Sequence, residues 1–290
     1  MKRIAILGCE NSHANTFLKF IKEEKEFSDV EVVGVYSKDL EASQKLKESF
    51  GVNILESYED AVGKIDGLVI TARHGDDHYK YAKPYIASGI PMFIDKPITV
   101  SEDEAVSFMR ELREAGVRIT GGSSLKEAAL ICELKEKALA LEGGKTVGGA
   151  VRAPITMDNP YGGFYFYAQH LVEMVCEVFG RYPKSVYAFT APDTVNVLFR
   201  YEGFDVTGTF CEEMYKYYAV RYTEKDTQGG IVDISDKKAF YKEFDSFYKL
   251  LCGEAQKISF DDFISPVFIM NAIDRSMASN KEEAVKEYKV

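Results

Sequence analysis

The sequence predicts an α/β fold: an N-terminal Rossmann-type, doubly wound parallel sheet, followed by a C-terminal α+β domain with a largely antiparallel open sheet. Three observations carry this. Over the first 122 residues, short β-branched runs alternate with stretches whose apolar residues recur at helical spacing. After Gly121-Gly122 the alternation stops, and strand-like runs follow one another with only turn residues between them. A length of 290 residues suits two domains, each large enough to bury a core.

In order, the first half has predicted strands at residues 3–8, 30–36, 67–71, 91–94 and 117–120. Between them, helices are predicted at 16–25, 40–50, 58–62, 79–88 and 102–115. Repetition of this kind makes a parallel sheet covered on both faces, the architecture of a dinucleotide-binding domain over residues 1–122. The second domain, 123–290, opens with predicted helices at 125–141 and 164–179. Predicted strands follow at 184–190, 194–201, 205–211, 217–222 and 230–234, with Glu202-Gly203 and Gln228-Gly229-Gly230 read as hairpin turns. Helices at 237–252 and 265–278 close the chain.

Composition narrows the function classes. Hydrophobic residues make up 46% and charged residues 28%, close to the globular average, which excludes wholesale disorder. The formal charge of -10 opposes a polyanionic partner, so nucleic acid is not expected. The start, Met1-Lys2-Arg3 and a short apolar run to Gly8, lacks the pattern of a signal peptide, and no apolar stretch has the length of a membrane span. Five scattered cysteines without a Cys-x-x-Cys pair argue for reduced thiols, and a cytoplasmic location is expected.

The first strand runs into Gly8-Cys9-Glu10-Asn11-Ser12-His13, where a dinucleotide fold places its phosphate turn before a helix. Against Gly-x-Gly-x-x-Gly only Gly8 fits; Glu10 and His13 occupy the other two glycine positions. A carboxylate about 4 Å from a phosphate costs on the order of 1 kcal/mol in water and about 4 at intermediate dielectric, so Glu10 must point away. Asn11 or Ser12 can cap the helix or donate to a phosphate oxygen. At the end of the second strand, Ser37-Lys38 stands where an NAD-preferring fold carries an acid, which favours NADP over NAD, although Asp39 keeps NAD open.

The run Gly89-Ile90-Pro91-Met92-Phe93-Ile94-Asp95-Lys96-Pro97-Ile98-Thr99 resembles the Glu-Lys-Pro segment of the Gfo/Idh/MocA oxidoreductases, with aspartate in place of glutamate. Upstream, 66–71 and His78 resemble the family's strand and the histidine of its next turn, although Arg73-His74-Gly75 replaces Thr-Pro-Asn. Downstream, Gly162-Gly163, His170 and Glu173 resemble the glycine pair and the catalytic helix. The resemblance implies a sugar- or polyol-type substrate, with Lys96 and His170 flanking substrate and nicotinamide as the catalytic pair. The physical logic is that an alcohol gives up a proton while hydride leaves, and a histidine titrates in the range to take it.

Beyond the turn residues already named, the cofactor set this implies is Thr71, His74, His78, Asp95, Lys96 and Pro97. Where the family usually places an aspartate, four residues before His170, this chain has Phe166, which neither exchanges a proton nor bonds a hydroxyl. Tyr165, Glu173 and Asp158 are the substrate-side candidates, Glu173 lying one turn beyond His170. Helix rhythm places Tyr167 in the core. Glu10 and Phe166 also motivate a rival, a non-enzymatic member that keeps the fold for ligand sensing or protein interaction.

No metal site is expected, because no His-x-x-x-His or Cys-x-x-Cys spacing occurs, and the missing Gly-x-Ser-x-Gly elbow argues against a serine hydrolase. The tyrosine-rich segment 215–222 is read as a sheet face that, by the resemblance, pairs with a second subunit in a homo-oligomer, or as core packing.

Overall fold

The computed structural model describes residues 1–235 and 237–290. The first sheet has five parallel strands, β1 (Lys2–Leu7), β2 (Val30–Tyr36), β3 (Gly67–Ile70), β4 (Met92–Asp95) and β5 (Ile119–Gly122), in the order β2-β1-β3-β4-β5. Helices α1 (Ser12–Glu23), α2 (Leu40–Phe50), α3 (Asp76–Ala82) and α4 (Glu102–Glu114) lie between them. β1 pairs with β2 on one side and β3 on the other, so the strand order reverses at the C-terminal end of β1, where such sheets hold ligands. Ile4 to Leu7 and Met92 to Asp95 are fully buried, as strands covered on both faces must be.

Two helix expectations of the first half need correction. Residues 58–64 form successive turns instead of a helix at 58–62, because Asp60 Oδ2 accepts from the amides of Glu56 and Ser57 at 2.9 and 2.8 Å. The helix expected at 79–88 starts at Asp76 and ends at Ala82. Pro84 then forbids continued α-helical bonding, and Lys83–Ser88 continues as a 3₁₀ turn.

The second half holds α5 (Ala129–Leu139), β6 (Thr146–Ile155), α6 (Tyr165–Phe179), β7 (Ser185–Ala191), β8 (Thr194–Arg200), β9 (Asp205–Glu212), β10 (Tyr217–Thr223), β11 (Thr227–Val232), α7 (Lys238–Leu251), α8 (Phe260–Ser279) and β12 (Glu282–Ala284). The predicted helix 125–141 is a 3₁₀ turn, Ser124–Glu127, joined through extended Ala128 to α5. Seven strands form the second sheet in the order β11-β10-β6-β9-β8-β7-β12, antiparallel except for the β6–β9 pair.

β6, a central strand, is absent from the sequence reading because Gly148, Gly149 and Pro154 break its strand signature. Gly149 has a packing reason: a Cβ there would sit 2.2 Å from the Phe179 ring. Gln228-Gly229-Gly230 lies within β11; the hairpin turn is at residues 224–226.

α6 is buried on nearly every side, between the second sheet, α5 and α8. The apolar stripe read from its sequence is therefore only part of its buried surface. α7 packs against α1 and the first sheet, placing Phe244 and Phe247 in the core around Ile4, Phe17 and Phe93. The Phe244 ring lies 5.0 Å from Phe17 and 4.8 Å from Phe27. α8 contributes Phe263, Ile264, Val267 and Phe268 to the core on the other side of that sheet.

Candidate active site

The turn after β1 is built on Gly8, whose φ of +76° suits glycine; a Cβ there would lie 2.4 Å from the Ala72 backbone. The amides of Gly8 and Cys9 donate to the Tyr36 carbonyl at 2.8 and 3.1 Å, tying the turn to the end of β2. Asn11 caps α1, its Oδ1 accepting from the His13 amide at 3.4 Å, and Ser12 stands exposed at the helix start. Glu10 turns towards β2 and β3, accepting from Ser37 Oγ at 2.6 Å and from the Arg73 amide at 3.1 Å.

β4 delivers Asp95 and Lys96 to the same end of the sheet. Asp95 is fully buried and accepts from Asn11 Nδ2 at 2.8 Å and from the Lys96 amide at 2.7 Å. His13 Nδ1 lies 3.1 Å from Asp95, and His13 Nε2 lies 3.4 Å from Glu243, which arrives on α7. Burial works to lower the His13 pKa, but Asp95 and Glu243 outweigh it and hold the imidazole above its ordinary range. Burial pushes Glu243 up to about 7 against the pull of His13.

The Lys96 side chain is buried, and its Nζ donates to the Phe166 carbonyl at 3.3 Å. The same ammonium sits 4.6 Å from the centre of the Phe166 ring and 5.2 Å from that of Tyr167. Burial, with Arg73 nearby, lowers its pKa although Asp95 acts in the other direction.

His170 comes from α6 in the other half of the chain. Its Nδ1 lies 2.7 Å from the hydroxyl of Ser123, the residue that follows β5. Burial, then the charges of Lys96 and His13, hold the imidazole well below its usual pKa, so it is neutral near pH 7.

Lys96 and His170 line one cavity of about 210 Å³, together with Asn11, Ser12, Arg73, Tyr167 and Phe240 among others. A second cavity, about 420 Å³, lies at the end of β2 and is lined by Glu10, Ser37, Lys38, Asp39, His74, Asp76, Asp77, Pro160 and Tyr161. The two adjoin the β1–α1 turn through Glu10 on one side and Asn11 and Ser12 on the other. A larger cavity of about 500 Å³ behind β5, between α5, α6 and α7, is lined by none of the candidate site residues named from the sequence. Three of its cations are answered by carboxylates: Lys135 by Glu177 at 2.6 Å, Lys249 by Asp245 at 2.5 Å and Arg181 by Glu173 at 3.2 Å.

Several candidates lie elsewhere. His78 is enclosed beneath the β3–α3 connection, its ring nitrogens 2.9 and 3.3 Å from the carbonyls of Ala72 and Ile98. Thr71 is buried and donates to the Gly8 carbonyl at 2.9 Å, so it braces the turn from behind. Pro97 lines neither cavity beside the turn. Glu173 does not reach His170: it pairs with Arg181 at 3.2 Å and accepts from Gln169 at 3.1 Å. Tyr165 points to Asn271 and Asp274 of α8, and Asp158 is exposed on its loop. Asp39 caps α2, accepting from the Ala42 amide at 3.1 Å.

Tyr167, placed in the core by helix rhythm, instead forms the cavity wall. Ser123, Glu243, Phe240 and Tyr217 escaped the sequence reading. Ser123 follows the Gly121-Gly122 pair and Tyr217 belongs to a segment that was noticed, whereas Glu243 reads as an ordinary polar position of an amphipathic helix.

Residues 2–123 match the family model described as "Oxidoreductase family, NAD-binding Rossmann fold", GFO_IDH_MocA. A comparison with curated proteins finds no match. Among solved structures, the fold is similar to that of myo-inositol 2-dehydrogenase from Lactobacillus plantarum, with a TM-score of 0.85, 15% identity, and 98% of this chain and 99% of that one covered. It is similar also to a myo-inositol dehydrogenase from Corynebacterium glutamicum, with a TM-score of 0.82, 17% identity and 99% and 100% covered. GenD2 from gentamicin A biosynthesis, solved in complex with NAD, aligns with a TM-score of 0.84 at 15% identity over 99% and 97% of the chains.

Proposed function

We propose that this chain, whose residues 2–123 match the Gfo/Idh/MocA oxidoreductase family model, is a member of that family and an NAD(P)-dependent oxidoreductase acting on a sugar, a polyol or a related small polar alcohol or carbonyl compound. One observation carries the reading: a lysine from the first sheet and a neutral histidine from α6 line a single cavity that reaches the start of α1.

The residues fit a dinucleotide. Gly8 lets the turn pass close to Ala72, Glu10 is turned away from the helix start, and the first amides of α1 suit a pyrophosphate. The cavity at β2 would take the adenosine half, and Asn11, Ser12 and Lys96 would face the nicotinamide half. When bound, the cofactor supplies the hydride acceptor or donor. On the protein side, Lys96 orients the reacting oxygen, and His170, donating through Nδ1 to Ser123, offers its other nitrogen to the alcohol proton.

NAD is the preferred cofactor on this reading. The Lys38 ammonium that would welcome a 2′-phosphate is paired with Asp77 at 2.5 Å, and Glu10, Asp39 and Asp76 add negative charge to the same cavity. Glu10, held by Ser37, supplies the acid that the end of β2 lacks.

We assign residues 1–122 to the nucleotide and 123–290 to substrate and assembly. The outer face of the second sheet, with Tyr218, Tyr222, Phe189 and Ile231 partly exposed, is the surface for a second copy of the chain. Light scattering should give a dimer or larger; a monomer at tens of micromolar would remove that assignment.

The central test is fluorescence titration with NADH and NADPH. NADH should bind more tightly, and Lys96→Met and His170→Ala should each lower turnover by about 10²-fold or more while changing NADH affinity little. Absence of binding by either nucleotide at millimolar concentration would defeat the reading.

A further inference from the structure

We propose that the substrate in this cavity carries an acid group beside the reacting carbon, as a small 2-hydroxy acid or its 2-oxo counterpart does, and is not an uncharged polyol. The inference rests on the oxidoreductase reading and narrows it.

The lining decides this. Among the described residues, those lining the cavity around Lys96 and His170 include two full cations, Arg73 and Lys96, and no aspartate or glutamate, in a chain where acids outnumber bases 46 to 36. Two carboxylates behind the wall, Asp95 and Glu243, face His13 and, for Asp95, Asn11 as well, and act on Lys96 from a distance. Lys96 is 5% exposed, and its ammonium meets one backbone carbonyl and two aromatic faces. Arg73 lies against the Tyr161 ring at 4.9 Å and donates to its hydroxyl at 2.9 Å, again without a carboxylate.

The two cations are close enough that Arg73 helps to depress the lysine's basicity. Asp95 and Glu243 offset the Lys96 charge only in part, since its pKa is still lowered, and an anion entering the cavity between buried Lys96 and half-buried Arg73 relieves the rest of that cost.

A polyol calls for the opposite lining. Its hydroxyls are best gripped by carboxylates, which accept from them strongly, and Phe166 stands where such an acceptor would have been expected. Phe166, Tyr167, Tyr217 and Phe240 give the cavity flat apolar walls, and a volume of about 210 Å³ admits a compact molecule. In oxidation, the C–H bond of the carbinol breaks with its electron pair leaving as hydride to oxidised nicotinamide. The O–H proton goes to His170, a C=O bond forms, and the carboxylate, held by Lys96 and Arg73, is unchanged. Reduction of the 2-oxo acid runs the same steps backwards.

The test titrates the NADH complex of the full chain with oxalate, an inert dicarboxylate, and in parallel with myo-inositol, following nucleotide fluorescence. Turnover of 2-hydroxy acids and polyols with NAD is followed by absorbance. Oxalate should bind at millimolar concentration or below and inositol should not. Arg73→Gln, or Arg73→Met as a second variant, should weaken oxalate by about tenfold or more while leaving NADH affinity within about twofold.

Binding or turnover of inositol without any effect of oxalate would overturn the proposal and leave the oxidoreductase reading standing. Equal loss of NADH and oxalate affinity in both variants would overturn it too, because the cations would then serve the nucleotide. Failure of NADH to bind the unaltered protein is a separate result, and it sinks both.

Discussion

His170 shows how much an environment can do to one imidazole. Burial and the two neighbouring charges hold it well below its ordinary pKa, so it stays neutral and able to take a proton at pH values where a solvent-exposed histidine is half protonated. The acid limb of kcat for alcohol oxidation should therefore lie below pH 6.5, and a limb above pH 7 would reject this base. Ser123, whose hydroxyl lies 2.7 Å from Nδ1, is a positioning residue in the proposed mechanism: with Nδ1–H donating to it, Ser123→Ala should lower kcat by about five- to tenfold and move the acid limb to lower pH, with KM little changed. Lys96 and His170 were legible because each sits in a pattern, a Lys-Pro pair ending a strand and a polar position on an apolar helix. Ser123 was not, since a serine after two glycines has no distinguishing period. Glu173 misled for a related reason: spacing gives a residue's neighbours on its own helix, while Arg181, which claims it, comes from beyond the helix end.

Elements built from alternating apolar runs were readable almost to their ends, and those built against a neighbour were not. The inner strands of the first sheet announce themselves by continuous apolar runs, because both faces are buried, as at Ile4 to Leu7 and Met92 to Asp95. β6 carries glycines where rings and strands press on it, so the same burial erased its signature. Glycine is needed for a different reason at the β1–α1 turn. Gly8→Ala combines a left-handed φ with a Cβ 2.4 Å from the Ala72 backbone, and should cost on the order of 2 kcal/mol or more, read as a fall in the denaturant midpoint together with loss of NADH binding. Unchanged stability and affinity would mean that the turn is not built as described.

Across the whole molecule, the His13–Glu243 contact joins the first helix to one that arrives more than two hundred residues later. Glu243 is raised to about 7 and His13 is also raised, so both hold their protons more tightly in the folded chain than in the unfolded one. Their contribution to stability is present at acid pH, below the unfolded values, and is lost as pH climbs through the folded ones. The gain in unfolding free energy at pH 5.5 over pH 8 should shrink by on the order of 2 kcal/mol in Glu243→Gln, as measured by urea denaturation of both proteins at both pH values. An identical pH dependence in the variant would show that the cluster does not titrate in this range. Sequence periodicity located α7 but could not say which sheet it covers, since an amphipathic stripe names no partner.

That covering helix has a bearing on how such proteins can be recombined. Phe244 and Phe247 fill a trench in the first sheet that the first 122 residues do not roof by themselves. A gene cut at the apparent seam would leave that greasy floor open to water, and a chimera joining one ancestor's front half to another's back half would inherit a plug cut for a different hole. The two halves fit as a matched set, because rings from residues 244 and 247 complete a core begun by Ile4, Phe17 and Phe93.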